Sequence, residues 1–527
     1  MAFKKTLAAV AAAAMVFGLS ACSSDNNASG APEGENYVTV ASVEPQNPLV
    51  PANTNESGGG NVIDAIFAGI SYYDAEGKIH YEAAKSVELE GEKTYRVELK
   101  DDQKFSDGTP VKAENFVKAW NYAVENSLTN AFFFEPIKGF EEGKPLEGLK
   151  VVDDKTFTIE LNQPEADFPL RLGYSAYFPL PDVAFEDMKA FGENPVGNGP
   201  FKVKEWNHNQ DIILVPNEEY KGDRQVKNDG IKFVLYPKLE SAYADLLAGN
   251  LDVTDAVPDS AFTKYQDELG DRWINQPAAV FQSFTIPEKL EHFSGEEGKL
   301  RRAAISMAID RKEITDKIFE GTRTPATDFT SPVIDGHTDD LKGADVLEFN
   351  PEKAKELWAK ADKISKFTGE FSIAYNADGG HQAWADAVAN QIKNNLGIEA
   401  VGAPYPDFKS FRDDITNRTI GSAFRTGWQG DYPGLGNFLA PLYATKASSN
   451  DGDYSNPEVD ALLKKAASAK SVEESNKIYN EVQEILLQDL PAIPTWYSNV
   501  VGGWSENVEN VKFNWKSRAE LHEITKK

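Results

Sequence analysis

The groups in this 527-residue chain that could do chemistry are one thiol, six imidazoles and 83 carboxylates, and their spacing does not assemble an enzyme. The histidines (His80, His208, His292, His337, His381 and His522) never fall three or four residues apart, and the only cysteine is Cys22. Local spacing therefore supplies no transition-metal cluster, and no metal or cofactor is expected. A G-x-S-x-G elbow, a P-loop and an H-E-x-x-H motif are all missing. Gly197-Asn198-Gly199 lacks the third glycine of a dinucleotide fingerprint. With so many acidic residues, chance carboxylate pairs abound, so pairing alone cannot mark a glycosidase. A hydrolase has no support in these motifs.

The thiol has a different context. Lys4 and Lys5 precede an almost wholly apolar run from Leu7 to Leu19, which ends in Leu19-Ser20-Ala21-Cys22. A charged start, a short apolar core and small residues before a cut describe a secretory leader over residues 1–21. The core is shorter than the ~20 residues that span a bilayer. The small residues before the cysteine resemble a bacterial lipoprotein signal, in which the thiol receives a diacylglyceryl group and becomes the first residue. Two or more acyl chains anchor stably where one alone is marginal. Lipidation at Cys22 and attachment to the extracytoplasmic face of the cell membrane are thus expected; secretion with an incidental cysteine is the alternative. Residues 22–36 read as a flexible tether, because Ser23–Glu35 is polar and has no apolar residue larger than alanine.

The formal net charge of −29 argues against nucleic acid, which wants a basic stripe, and against a polybasic membrane contact. The nearly 500 residues after the tether exceed one core, so at least two lobes are expected, in a monomer. No cysteine pair braces them, and a chain this long can bury enough core without one.

Those lobes must be α/β. Tyr37–Val43, Thr94–Leu99 and Lys155–Leu161 read as strands, the last two alternating apolar and polar residues. Phe116, Val117, Trp120, Ala123 and Val124 recur at helical spacing after the turn Ser106-Asp107-Gly108-Thr109-Pro110. Leu300, Ala304, Ile305, Ala308 and Ile309 form a second stripe; Trp384, Val388, Gln391, Ile392 and Leu396 form a third. Gly397 stands where a left-handed residue closes a helix, before the strand Ile398–Val401. Strand–helix alternation predicts parallel or mixed sheets.

Five blocks then carry a resemblance. Tyr95–Trp120 reads YRVELKDDQKFSDGTPVKAENFVKAW, and Gly197–Tyr220 reads GNGPFKVKEWNHNQDIILVPNEEY. Leu300–Ile314 reads LRRAAISMAIDRKEI, Trp428–Tyr432 reads WQGDY, and Leu490–Tyr497 reads LPAIPTWY. In this order they resemble the family-5 extracellular solute-binding proteins, the oligopeptide and dipeptide receptors of ABC importers. The likeness covers about Tyr37 to Trp515. It implies a class II periplasmic-binding-protein-like clamp with an extra inserted domain. Lobe I would comprise Tyr37–Asp74, Pro195–Pro287 and Ile493–Lys527, the extra domain Ala75–Asn194, and lobe II Glu288–Ala492. It further implies short peptides as ligands and membrane permease subunits as partners. Receptors of this fold also take oligosaccharides, nickel chelates and opine-like solutes, so a non-peptide solute is the alternative.

A peptide offers a constant backbone, an ammonium and a carboxylate, so its receptor needs strand-like pairing and two fixed charges. The resemblance implies that Asp431 meets the ammonium and that Trp428 walls the same pocket. Arg425, six residues earlier, matches an arginine that receives the peptide carboxylate, and Arg418 matches a second one if a short gap is allowed. An arginine fork suits a carboxylate. Glu56 and Asn61, around the glycine-rich turn Ser57-Gly58-Gly59-Gly60, and Tyr497 complete the candidates, at the rim.

Overall fold

The computed structural model describes residues 36–527. The leader at 1–21, Cys22 and the tether as far as residue 35 lie outside the described residues. Among those described, no helix is long and apolar enough to cross a membrane.

An 11-stranded mixed sheet organises the chain. From edge to edge it runs Glu399–Tyr405, Glu370–Asn376, Ala423–Gln429, Trp273–Thr285, Ala492–Trp504, Val253–Thr254, Val38–Ser42, Ile231–Leu235, Asp211–Pro216 and Phe201–Asn207; the short Arg323–Pro325 also pairs with Ala492–Trp504. Val38–Ser42 and Glu370–Asn376 are parallel to both their neighbours, and the remaining pairings are antiparallel. The two largest apolar cores among the described residues lie along this sheet. One gathers Val38, Val40, Val62, Phe233 and Val500, the other Phe281, Ile305, Ile373, Val388 and Trp496.

The two 13-residue strands, Trp273–Thr285 and Ala492–Trp504, run from one core into the other. Ile274 and Val500 pack on the first core, whereas Phe281, Phe284, Ile493 and Tyr497 pack on the second. Their register slips between Pro277 and Phe281, where the cores change. The change of core therefore falls inside these strands, not at their ends. The architecture is α/β, with two large cores joined through two continuous strands, as the expected two-lobe clamp requires.

Within Ala75–Asn194 a four-stranded antiparallel sheet (Ala84–Glu90, Thr94–Leu99, Thr156–Glu160, Leu149–Asp153) packs on the helix Ala113–Glu125. Phe157 stacks on Phe116 and meets Trp120 edge-on, each at 5.7 Å. The segment also reaches the second core, where the Ala166 N–H donates to the Ala467 carbonyl (2.7 Å) and the Tyr479 hydroxyl donates to Asp167 (3.0 Å).

The first and third helical stripes lie on Ala113–Glu125 and Gln382–Leu396, and Gly397 caps the last with φ +71°; the second lies on Gly295–Met307 only as far as Ile305, since the helix ends before Ala308 and Ile309. The triple glycine is different from expectation. It is no turn but the first turn of the helix Ser57–Ile66, capped by Glu56, which accepts the Gly59 N–H at 2.9 Å. A Cβ on Gly58 would stand 2.5 Å from the Val43 carbonyl oxygen, so close approach of backbone excludes a side chain there.

Candidate ligand-binding site

The strand Ala423–Gln429 builds the site because only part of one edge is covered. Along Phe424–Gln429 it pairs with Trp273–Thr285, but Glu370–Asn376 covers only Ala423 and Phe424 on the other side. The Gly430 N–H donates to the Ala279 carbonyl at 2.8 Å, which fixes the alternation. Thr426, Trp428 and Gly430 turn their backbone groups toward the covered side, while Gly427 and Gln429 turn theirs toward the open edge. Gly427 is exposed and has no side chain to screen that edge.

Asp431 follows directly, half-buried. Asn437, 3% exposed and in the first turn of the helix Leu435–Tyr443, fixes its geometry. The Asn437 Oδ1 accepts the Asp431 N–H (2.9 Å) and the Trp428 indole N–H (3.2 Å). Its Nδ2 donates to Asp431 Oδ2 at 3.0 Å. Asp431 Oδ1 keeps no hydrogen-bond partner among the described residues. Burial raises the Asp431 carboxyl above its ordinary value, opposed by the Asn437 amide and by Lys516. The Lys516 ammonium donates to the Asp431 carbonyl at 3.3 Å and lies 5.1 Å over the Tyr174 ring. Burial lowers the Lys516 pKa, helped by Arg518 and opposed by Asp64 and Asp431. The arrangement is a desolvated carboxylate with one free oxygen at the end of an open strand edge, suited to a cation.

Asp431 and Trp428 thus meet through Asn437. Arg425 lies on the same strand, its Nε donating to Asn376 Oδ1 (2.8 Å) and its guanidinium over Phe408 and Phe411 at 5.5 and 5.6 Å. Arg418 is engaged elsewhere, in ion pairs with Asp453 (2.8 Å) and Asp451 (3.4 Å). Glu56 is the helix cap described above. Asn61 lines a cavity of about 120 Å³ with Asp64, Tyr174, Lys516 and Arg518, next to Asp431 through Lys516, and its Oδ1 is buried without a partner. Tyr497 departs from the rim expected for it. It is 1% exposed, and its hydroxyl donates to the buried Asp328 carboxylate at 2.6 Å and accepts the Thr327 and Asp328 N–H groups at 3.0 Å. A buried carboxylate needs donors, and Tyr497 is one of them.

Asn437, Lys516 and Tyr174 belong to the site and were not singled out from the sequence. Asn437 sits six residues after Asp431 in a helix start that reads as an ordinary apolar turn, and only a three-dimensional turn joins the two.

The sequence model for bacterial extracellular solute-binding proteins, family 5 Middle, matches residues 78–450. The chain is 27% identical over 464 residues to the periplasmic murein peptide-binding protein MppA of Escherichia coli, with 83% of each chain covered. It is 26% identical over 487 residues to the oligopeptide-binding protein OppA of Bacillus subtilis, with 88% of each covered. Among solved structures, the unliganded open form of MppA superimposes with a TM-score of 0.79 at 24% identity, covering 94% of this chain and 98% of that one. Haemophilus influenzae OppA, in complex with the peptide RPPGFSPFR, superimposes with a TM-score of 0.74 at 24% identity, covering 94% and 99%. These superpositions establish the shared fold.

Proposed function

The chain belongs to the bacterial extracellular solute-binding proteins of family 5, and we propose that it is a peptide receptor of an ABC importer, capturing short peptides between two lobes and delivering them to a membrane permease. As a member of that family it is a binding protein and not an enzyme. The observation that carries the peptide reading is the open edge of Gly427 and Gln429 ending at the free oxygen of Asp431. An extended peptide adds to such an edge through its backbone, whatever its side chains. Its ammonium then meets Asp431 Oδ1, with Trp428 walling that end. The Arg425 guanidinium receives the far carboxylate, exchanging part of its contact with Asn376 for a charge-assisted bond.

Lobe I is assigned to 37–74, 195–287 and 493–527, the extra domain to 75–194, and lobe II to 288–492. The register slip between Pro277 and Phe281 supports a hinge in the long strands, about which the lobes close on ligand. The leader and Cys22 support lipid anchoring on the extracytoplasmic face of the cell membrane, and the receptor is read as a monomer. A second reading, a non-peptide solute, draws on a relative at 26% identity named a probable deoxycholate-binding periplasmic protein. Mass spectrometry of whatever is released on denaturing the purified protein separates the two. Short peptides are expected; a single steroid, sugar or metal chelate would overturn the peptide reading.

A further inference from the structure

A cavity of about 310 Å³ opens on the face of the Ala423–Gln429 strand that carries Thr426 and Trp428. Its walls carry the rings of Phe281 (1% exposed), Phe411 (2% exposed) and Trp428, together with Arg412, Arg425 and Asp451. Its floor carries a chain of hydroxyls: Thr426 Oγ1 lies 2.7 Å from Ser283 Oγ and 3.2 Å from Thr285 Oγ1. Tyr443 is 5% exposed, and its ring is held edge-on by Phe329 at 5.4 Å. The Tyr443 hydroxyl, on a residue lining this cavity, has no hydrogen-bond partner among the described residues. The ring is buried but the hydroxyl oxygen is not sealed off, so it is free to bond a ligand group or a water in the cavity. Of the charged groups on the wall, Asp451 takes a bidentate contact from Arg412 at 2.5 and 3.0 Å, and Arg425 donates to the neutral Asn376 amide at 2.8 Å.

We propose that this cavity is a side-chain subsite selecting a neutral aromatic residue with a hydrogen-bonding tip, a tyrosine before a phenylalanine, in the bound peptide. The proposal rests on the peptide reading above and deepens it. Residues of a strand added at the Gly427–Gln429 edge alternate between the two faces of the sheet. Only those sharing a face with Thr426 and Trp428 reach the cavity. Ring burial against Phe281, Phe411 and Trp428 provides the affinity, and the Tyr443 and Thr426 hydroxyls recognise the tip. A lysine there would bring a further positive charge beside the Arg412 and Arg425 guanidinium groups that line the cavity.

The test is calorimetric titration of the purified protein with tetra-alanine and with peptides in which tyrosine, phenylalanine, lysine or glutamate is moved through each position. Tyrosine should bind about 30-fold more tightly than alanine at one position or at two alternate ones, reflecting burial of one aromatic side chain. It should exceed phenylalanine there by about fivefold, as one added hydrogen bond does. Lysine at that position should bind more weakly than alanine, and glutamate should not surpass tyrosine. In Tyr443→Phe the advantage of tyrosine over phenylalanine should shrink toward unity. If peptides bind but tyrosine brings no position-dependent gain, or Tyr443→Phe keeps the full advantage, the subsite is wrong and the peptide reading stands. If none of these peptides binds, both fall.

Discussion

Asn437 grips Asp431 at two points, accepting its backbone N–H at 2.9 Å and donating to its carboxylate Oδ2 at 3.0 Å. The same Asn437 oxygen takes the Trp428 indole N–H at 3.2 Å, so one buried amide sets the acid and the ring beside it together. With Oδ2 held, the other carboxylate oxygen is aimed and unspent, which is the state a receptor for an ammonium requires.

Asn437→Ala should weaken peptide binding by about tenfold, since the hydrogen bonds that aim a charged group are worth ~1.5–3 kcal/mol and part of that is regained by solvent. Calorimetry against the wild-type protein checks this. The melting temperature should fall as well, but acetylated and free peptide should become less different in affinity, which a purely structural loss would not produce.

The pH dependence has a definite sign. Burial holds the Asp431 pKa above its ordinary 3.8 in the empty site. A neutral Asp431 cannot pair with an ammonium, so affinity should fall as pH drops through that raised pKa, sooner than for an ordinary aspartate. Because an ammonium partner favours the charged form, binding between 3.8 and the raised value should release a proton. In the free protein the linkage runs oppositely. The folded state binds the proton more tightly than the unfolded one, so Asp431 penalises folding above its raised pKa, and the penalty disappears below the unfolded value. Titrations in buffers of different ionisation enthalpy measure the proton count; proton uptake on binding in that window would contradict the ammonium role.

Gly58→Ala should destabilise, although glycine to alanine in a helix ordinarily stabilises by ~1 kcal/mol. The added Cβ would lie 2.5 Å from the Val43 carbonyl oxygen, and backbone cannot rotate away as a side chain can. A loss of about 1–3 kcal/mol, in the range of overpacked cores, is expected in urea unfolding. A gain would mean that the helix entry is loosely packed.

Much of this could be read from residues alone, and the failures share a cause. The stripes at Phe116–Val124 and Trp384–Leu396 and the closing Gly397 are local, set by helical period and by a left-handed backbone, so they lie in the structure where expected. Asp431 stands out because its motif is local too. Tyr497 misled because an aromatic at the end of a strand block does not say which face it takes; the carboxylate that claims its hydroxyl, Asp328, is 169 residues away in sequence. Gly58–Gly60 looked like a turn because a glycine needed for φ and a glycine needed for space are the same letter. The passage of Trp273–Thr285 from one core to the other carries no composition mark, since both halves are equally apolar.

Cys22→Ala should abolish lipid attachment. Metabolic labelling with a tagged fatty acid should mark the wild-type chain and leave the variant unmarked and released from membranes. Equal label on both would contradict anchoring at this cysteine.

The central claim is that Asp431 receives the ammonium of a bound peptide. Asp431→Asn leaves that ammonium desolvated without its counter-charge, which typically costs ~2–5 kcal/mol, roughly 30-fold to several thousand-fold in affinity. Acetylating the peptide amine should impose a similar loss on the wild-type protein. The two losses should not add, because both remove one interaction. Calorimetric titration of wild type and Asp431→Asn with free and acetylated peptide measures all four affinities. Tight binding of free peptide by wild type alone is the predicted result; equal affinity of both proteins for free peptide would contradict the claim.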